Sequence, residues 1–222
     1  MGDAHRRTPR RAARALAVLL TALAALGAGA LAGCGSPAEN DPFVGYWVGG
    51  GMQGQMTLVQ IGKDEDGKYV VLANPDQPAG EAVREGDSLV VDTHAVVMRF
   101  TPAPDDRLSL EFSGDMFEEP AATTLKRTDA TQYSDAAVGY GLAQIERGLA
   151  MWKGGGGKKY PPPKEVTPSG LLGQMIRWPN NPFTGQPMQP GQSEGDYVYK
   201  QVAGGKKYSL KGYLSDGSTI GE

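Results

Sequence analysis

Thr124-Leu125-Lys126-Arg127-Thr128-Asp129-Ala130-Thr131-Gln132-Tyr133 is where the sequence changes period. Before it, apolar residues recur at every second position. Met56, Leu58 and Gln60 alternate with Thr57, Val59 and Ile61; Val96, Met98 and Phe100 alternate with Ala95, Val97 and Arg99. Leu89 and Val91, and then Leu108, Leu110 and Phe112, keep the same alternation, and Tyr69 to Leu72 is a continuous apolar run. Turn-forming clusters separate these runs: Asp64-Glu65-Asp66-Gly67, Asn74-Pro75-Asp76, Glu85-Gly86-Asp87, Pro102-Ala103-Pro104-Asp105-Asp106 and Gly114-Asp115. Short period-two runs between such turns predict an antiparallel meander that closes as a barrel or packs as a sandwich.

After Asp129 the period is helical. Val138, Leu142, Ile145, Leu149 and Trp152 are spaced 4, 3, 4 and 3, which draws one apolar stripe along a helix. Asp129, with Gln132 three residues later, supplies an N-terminal cap, and Gly154 to Gly157 ends the helix. An amphipathic helix needs a cover. Two β-rich runs, Asp196 to Lys200 and Lys207 to Lys211, flank an Ala203-Gly204-Gly205 turn and offer a hairpin for that purpose. Between them and the helix lies a Pro- and Gly-rich connection with a short helical piece expected at Leu171 to Ile176. The fold class predicted is therefore α+β: a β-barrel or sandwich over 43–128, then a helix packed on a small antiparallel sheet over 129–222, with a domain boundary near Thr128.

Outward from these units the chain begins with a different kind of segment. Arg6, Arg7, Arg10, Arg11 and Arg14 precede an apolar run from Ala15 to Ala32. Leu31, Ala32 and Gly33 then lead into Cys34, the one cysteine of the chain. A basic start, an apolar run and a small-residue exit are the parts of a secretory signal. The alternative is an uncleaved membrane anchor, for which the run is at the short end of the ~20 residues usually needed. Residues 34–42 are polar and turn-rich and read as a tether.

The whole chain carries net charge −3, from 22 basic and 25 acidic residues. Without residues 1–33 the remainder has 17 basic and 24 acidic residues, a net of −7. That excess argues against nucleic-acid binding, which calls for a basic face. The charge is split: −9 over 34–128 and +2 over 129–222. The enzyme candidates are His94 and Asp92 with nearby Ser88, which no nucleophile motif accompanies. Asp64, Asp66 and Gly67 form a fragment of a calcium loop without its closing Glu, so a solvated hairpin turn is expected there. No metal, cofactor or catalytic residue is predicted.

Three resemblances sharpen this picture. The tetrad Leu31-Ala32-Gly33-Cys34 resembles the lipobox of bacterial lipoproteins. It implies cleavage before Cys34, a diacylglyceryl group on its thiol and an exported protein held at a membrane of the cell envelope. The Gly45-Tyr46-Trp47 opening and the Thr124-Leu125-Lys126-Arg127 close resemble small lipocalin-like barrels. That resemblance implies that Trp47 plugs one end of the barrel with Arg127 packed across it; by the residues alone, Trp47 is equally a plain core aromatic.

The third resemblance covers 129–222. A helix, Lys159-Tyr160-Pro161-Pro162, then Trp178-Pro179-Asn180-Asn181-Pro182-Phe183-Thr184-Gly185, then Gly195-Asp196-Tyr197-Val198-Tyr199 and Tyr208 to Gly217 look like the globular part of type IV pilins and of the major pseudopilin of type II secretion. This implies a pilin-like α+β unit and a protein partner of pilus or secretion type. It also implies a calcium site near Ser215, Asp216 and Ser218, with Asp196 in reach, although so few carboxylates favour an ordinary turn at Asp216-Gly217. The family's long apolar N-terminal helix does not precede Asp129, so self-assembly into filaments is not expected. The functions that follow are a non-enzymatic binding or scaffolding lipoprotein or, alternatively, a carrier of a small apolar ligand in the barrel.

Overall fold

A computed structural model describes residues 41–51, 55–75 and 77–222. The signal segment, Leu31, Ala32, Gly33, Cys34, most of the tether and Asp76 lie outside the described residues. Eight antiparallel strands form a closed barrel in simple up-and-down order. They are β1 Gly45–Gly50, β2 Met56–Lys63, β3 Tyr69–Ala73, β4 Gln77–Glu85, β5 Ser88–Asp92, β6 Val97–Ala103, β7 Arg107–Ser113 and β8 Ala121–Thr128. The pairing of β1 with β8, Trp47 opposite Arg127 and Gly49 opposite Leu125, closes the ring and leaves no free edge.

Alternation places one set of residues inside. Trp47, Val59, Ile61, Val71, Leu89, Val91, Phe100, Leu108, Leu110 and Leu125 are all essentially inaccessible to solvent. The sequence pattern anticipates Leu89, Val91, Phe100, Leu108 and Leu110 of this set, leaves open which face of β2 turns inward, and misses β4. Pro78 and Gly80 interrupt its alternation, and its register against β3 shifts between Val71 and Leu72. A proline tolerated at such an irregularity loses no ladder bond. The expected turn at Pro102 also begins later, because β6 continues through Pro102 and Ala103, opposite Leu108 and Arg107.

Helix α1, Ala130–Gly154, starts as its sequence predicts: the Asp129 carboxylate accepts from the Gln132 amide at 2.8 Å. The Gln132 side chain does not complete a reciprocal cap. Its Oε1 accepts from the Thr128 hydroxyl instead. The sheet is larger than the expected hairpin: β9 Tyr197–Val202, β10 Lys207–Tyr213 and β11 Thr219–Gly221, in the order β11-β10-β9. Leu210 lies opposite Tyr199 and Gly212 opposite Tyr197, so these residues share the face turned to the helix. Gly212 is required there, since a Cβ would stand 2.6 Å from Val138 Cγ1.

The stripe of α1 is buried as expected at Val138, Leu142, Ile145 and Leu149. Trp152 at its end is only half-buried and donates its indole N–H to the Lys159 carbonyl at 3.2 Å. The long connection covers as much of the stripe as the sheet does. Val166, Leu172 of the short helix α2 (Leu171–Met175) and Met188 join the same core with no solvent exposure.

A third cluster joins the two units. Tyr133 and Ala137 of α1 bury Leu58 on the outer wall of the barrel, with Tyr46, Val48, Ala136 and Tyr140 packed around them. The described residues all belong to one compact unit.

Candidate functional site

The two ends of the barrel differ in chemistry. The first residues of β1, the last of β8 and the β2–β3, β4–β5 and β6–β7 turns lie at one end, because the strands alternate in direction. This end is plugged. Phe43 and Trp47 are fully buried in it, and the Trp47 indole N–H donates to the Phe43 carbonyl at 2.8 Å. The Arg127 guanidinium lies over the Trp47 ring, its carbon 4.2 Å from the centroid. Cation–π attraction at such a distance is worth ~0.5–2 kcal/mol, more as the pair is desolvated. Arg127 also donates to the carbonyls of Val44 and Pro42 and pairs with Asp106 at 2.7 Å.

A latch completes the plug. Asp41 pairs with Lys63 at 2.7 Å, accepts from the Tyr69 hydroxyl at 2.7 Å and from the Phe43 amide at 3.0 Å. Burial alone pushes the Asp41 carboxyl up. The hydrogen bonds from Lys63, Tyr69 and the Phe43 amide outweigh it and hold the pKa at about 2. The same contacts raise the Lys63 ammonium, led by its bond to Asp41.

The opposite end holds a cavity of about 550 Å3. Its floor is Val59, Met98, Leu110 and Phe112 of the barrel interior, and Met116 and Phe117 of the β7–β8 loop stand at its rim. Tyr140 of α1 forms part of the wall, so the helix outside the barrel contributes to a space at its mouth. Among the described lining residues none is charged; the polar ones are Gln55, Thr57, Asn74 and the Tyr140 hydroxyl. The space is half open and its exposed lining is about as polar as apolar, so it matches a small molecule of mixed character better than a purely apolar one.

The other sequence candidates are not brought together. Asp92 ends β5, and its carboxylate accepts from the backbone amide of His94 at 2.7 Å. His94 sits in an exposed turn at φ 68°, not on the strand face that a two-residue spacing suggests. Ser88 bonds Thr101 at 2.8 Å, at the other end of the strand from Asp92. The Asp64 carboxylate accepts from the amides of Asp66 and Lys68 and organises a hairpin turn. Asp216 likewise caps the Ser218 amide at 2.8 Å, and Ser215 donates through both amide and hydroxyl to Asp135. Asp196 is spent on Asn181 and on the Gln189 amide. Among the described residues no group of three His, Cys, Asp or Glu is placed to hold a metal.

Asn181 is the centre of the Asn-Pro-Phe-Thr-Gly segment and is only 3% exposed. Its Oδ1 accepts from the amides of Phe183 and Thr184, and its Nδ2 donates to the Glu194 carbonyl at 2.7 Å and to Asp196 at 3.2 Å. Gly195, at φ 76°, must lack a Cβ because that atom would collide with the Asn181 amide. Two tyrosines tie the preceding loop down: the Tyr197 hydroxyl donates to the Val166 carbonyl and that of Tyr199 to Pro161 at 2.9 Å. Burial, with smaller contributions from neighbouring Tyr208 and Tyr160, pushes the Tyr199 pKa up to about 12, so it remains a donor at any physiological pH. These residues build structure and leave no open reactive group.

Sequence reasoning missed the latch and the Tyr140 wall. Alternation carries the signal for Met98 and Leu110, but nothing local in the sequence places Asp41 beside Lys63 or Tyr140 beside the barrel mouth. No helix among the described residues is long and apolar enough to cross a membrane. No family model matches the chain, and no curated protein or solved structure does.

Proposed function

We propose that this protein is an exported lipoprotein, held at a cell-envelope membrane through a diacylglyceryl group on Cys34, that acts as a non-enzymatic binding or scaffolding module. The observation that carries the scaffolding role is α1. One 25-residue helix is packed into the barrel wall by its first half and forms the core of the sheet unit with the rest. Such a helix holds two surfaces in fixed register. The helix laid across a three-stranded antiparallel sheet, with the Asn181-centred loop beside it, supports a pilin-like reading of 129–222 and a partner of pilus or type II secretion kind. The Trp47–Arg127 pair supports the lipocalin-like reading of the barrel.

Cys34→Ser tests the anchor: the protein should leave the membrane fraction or accumulate as precursor. Unchanged processing and fractionation would sink the lipoprotein reading. Electron microscopy tests the pilin-like role. The purified protein should form no filaments by itself, and filaments would mean that it is a structural subunit instead.

The cavity favours a second reading, a carrier of a small uncharged ligand at the barrel mouth. The full chain should then bind N-phenyl-1-naphthylamine with a rise in its fluorescence. Ala73→Phe, which places a ring in the cavity wall, should abolish the rise. Equal binding by both proteins, or none by the parent, would remove the carrier reading and leave the scaffold.

A further inference from the structure

We infer that the plugged end of the barrel is the surface apposed to the lipid headgroups, so that the cavity opens away from the bilayer and exchanges its ligand with the aqueous side. The inference rests on the anchored reading of Cys34 and adds to it a direction.

The direction follows from how firmly the chain is held where it enters the barrel. Asp41 is fixed by Lys63, Tyr69 and the Phe43 amide. The carbonyls of Pro42 and Val44 are both held by Arg127, and Phe43 between them is fully buried. The tether therefore leaves from the plug and nowhere else on the molecule. From Asp41 back to Cys34 there are seven chain steps, which span at most ~25 Å at ~3.5 Å per residue. The mouth lies a strand length further away. The eight residues of β2 cover ~26 Å along the strand at ~3.3 Å per residue, less the barrel tilt.

Helix α1 extends the same axis. It begins after Thr128 at the plugged end, touches Tyr46 through Tyr133 and reaches the cavity wall at Tyr140. The fourteen residues from Tyr140 to Gly154 carry it ~21 Å beyond, at ~1.5 Å per residue. Lys158, Lys159, Lys206 and Lys207 are exposed on the far unit, and no carboxylate pairs with them among the described ion pairs. These lysines could draw that unit down onto anionic lipid. With the molecule upright they stand several Debye lengths of ~8 Å from the surface and feel little pull. The turns at the plugged end, by contrast, carry Asp64, Glu65, Asp66, Asp87, Asp105 and Asp106, which repel anionic headgroups and hold the barrel off the surface on its tether. The ordering plug, mouth, far unit is set by the short covalent connection, which acts against the repulsion of these acidic turns.

Once Cys34 is acylated, an introduced cysteine is the only free thiol, which makes the test direct. Full-length protein carrying Glu65→Cys, Glu118→Cys or Lys158→Cys is labelled with a fluorescent donor and reconstituted into phosphatidylcholine–phosphatidylglycerol vesicles containing a rhodamine lipid. Energy transfer should be strongest from position 65 at the plug, weaker from 118 beside the mouth and weakest from 158. Strongest transfer from 118 or 158, or equal transfer from all three, would overturn the orientation while leaving the anchor intact. Failure of the acylated protein to float with the vesicles would overturn the anchored reading itself.

Discussion

The barrel and the helix–sheet unit reach similar burial by different means. In the barrel every buried core residue except Phe43 comes from a strand, each strand pairs with its neighbour in sequence, and the backbone ladder satisfies the polar groups. In the second unit a connection of irregular structure supplies Val166, Leu172 and Met188, and the side chains of Tyr197, Tyr199, Asn181, Trp178 and Gln201 add to the turn and loop bonds that its backbone makes with itself and with the sheet. The contrast teaches that a small sheet too narrow to cover a helix can be completed by a loop, provided that buried tyrosine and asparagine groups supply the bonds that its turns leave unmade.

The largest effects should come from deleting the anchor of each core. Trp47→Ala removes the barrel plug together with the partner of Arg127, and Leu149→Ala opens a cavity under the sheet. Costs of about 3–5 and about 2–5 kcal/mol are expected, a large share of the ~5–15 kcal/mol typical of a folded domain. Thermal unfolding followed by tryptophan fluorescence and by circular dichroism measures both. A Leu149→Ala protein as stable as the parent would mean that the loop and sheet do not form one core with α1.

Asn181→Ala should come next, at about 1–3 kcal/mol, because it leaves several backbone groups of the loop without a partner. Its effect should concentrate in amide exchange of 181–196, with the barrel strands unchanged. Equal acceleration in both regions would erase the contrast drawn between ladder and loop.

The smallest effect belongs to the latch. Asp41 has a folded pKa of about 2, below its unfolded value, so its contribution is fully present above pH ~4 and is lost as pH falls toward 2. Asp41→Asn should cost about 1 kcal/mol or less at neutral pH, since the ion pair is partly solvated. The difference between variant and parent should shrink across that acid window. A difference independent of pH between 5 and 2 would show that the carboxylate charge plays no part in holding the strap.

How much of this could be read from the residues follows the same division. Leu89, Val91, Met98, Phe100, Leu108 and Leu110 announce their inward face by alternation, because a strand's side-chain period of two survives in the sequence wherever one face is buried. The stripe from Val138 to Leu149 does so at the helical period. β4 was illegible because Pro78 and Gly80 sit at its irregularity, and the β11 strand because three exposed residues carry no pattern. Of the candidate groups, the Asp92–His94 pairing failed because a turn at positive φ breaks the strand rule on which it rests.

By itself, then, the sequence determined the classes of element and, β4 and β11 apart, their order, together with the change of period at Asp129 and the separation of acidic from basic halves, all of which are local or compositional properties. The tertiary structure decided what depends on residues distant in the chain: the closure of β1 on β8, the plug of Phe43, Trp47 and Arg127, the latch of Asp41 on Lys63 and Tyr69, and the cavity to which Tyr140 lends a wall. Those features arise from strand count, register and the path of one helix, and a pairing between positions 41 and 69, or 47 and 127, leaves no periodic trace in the chain.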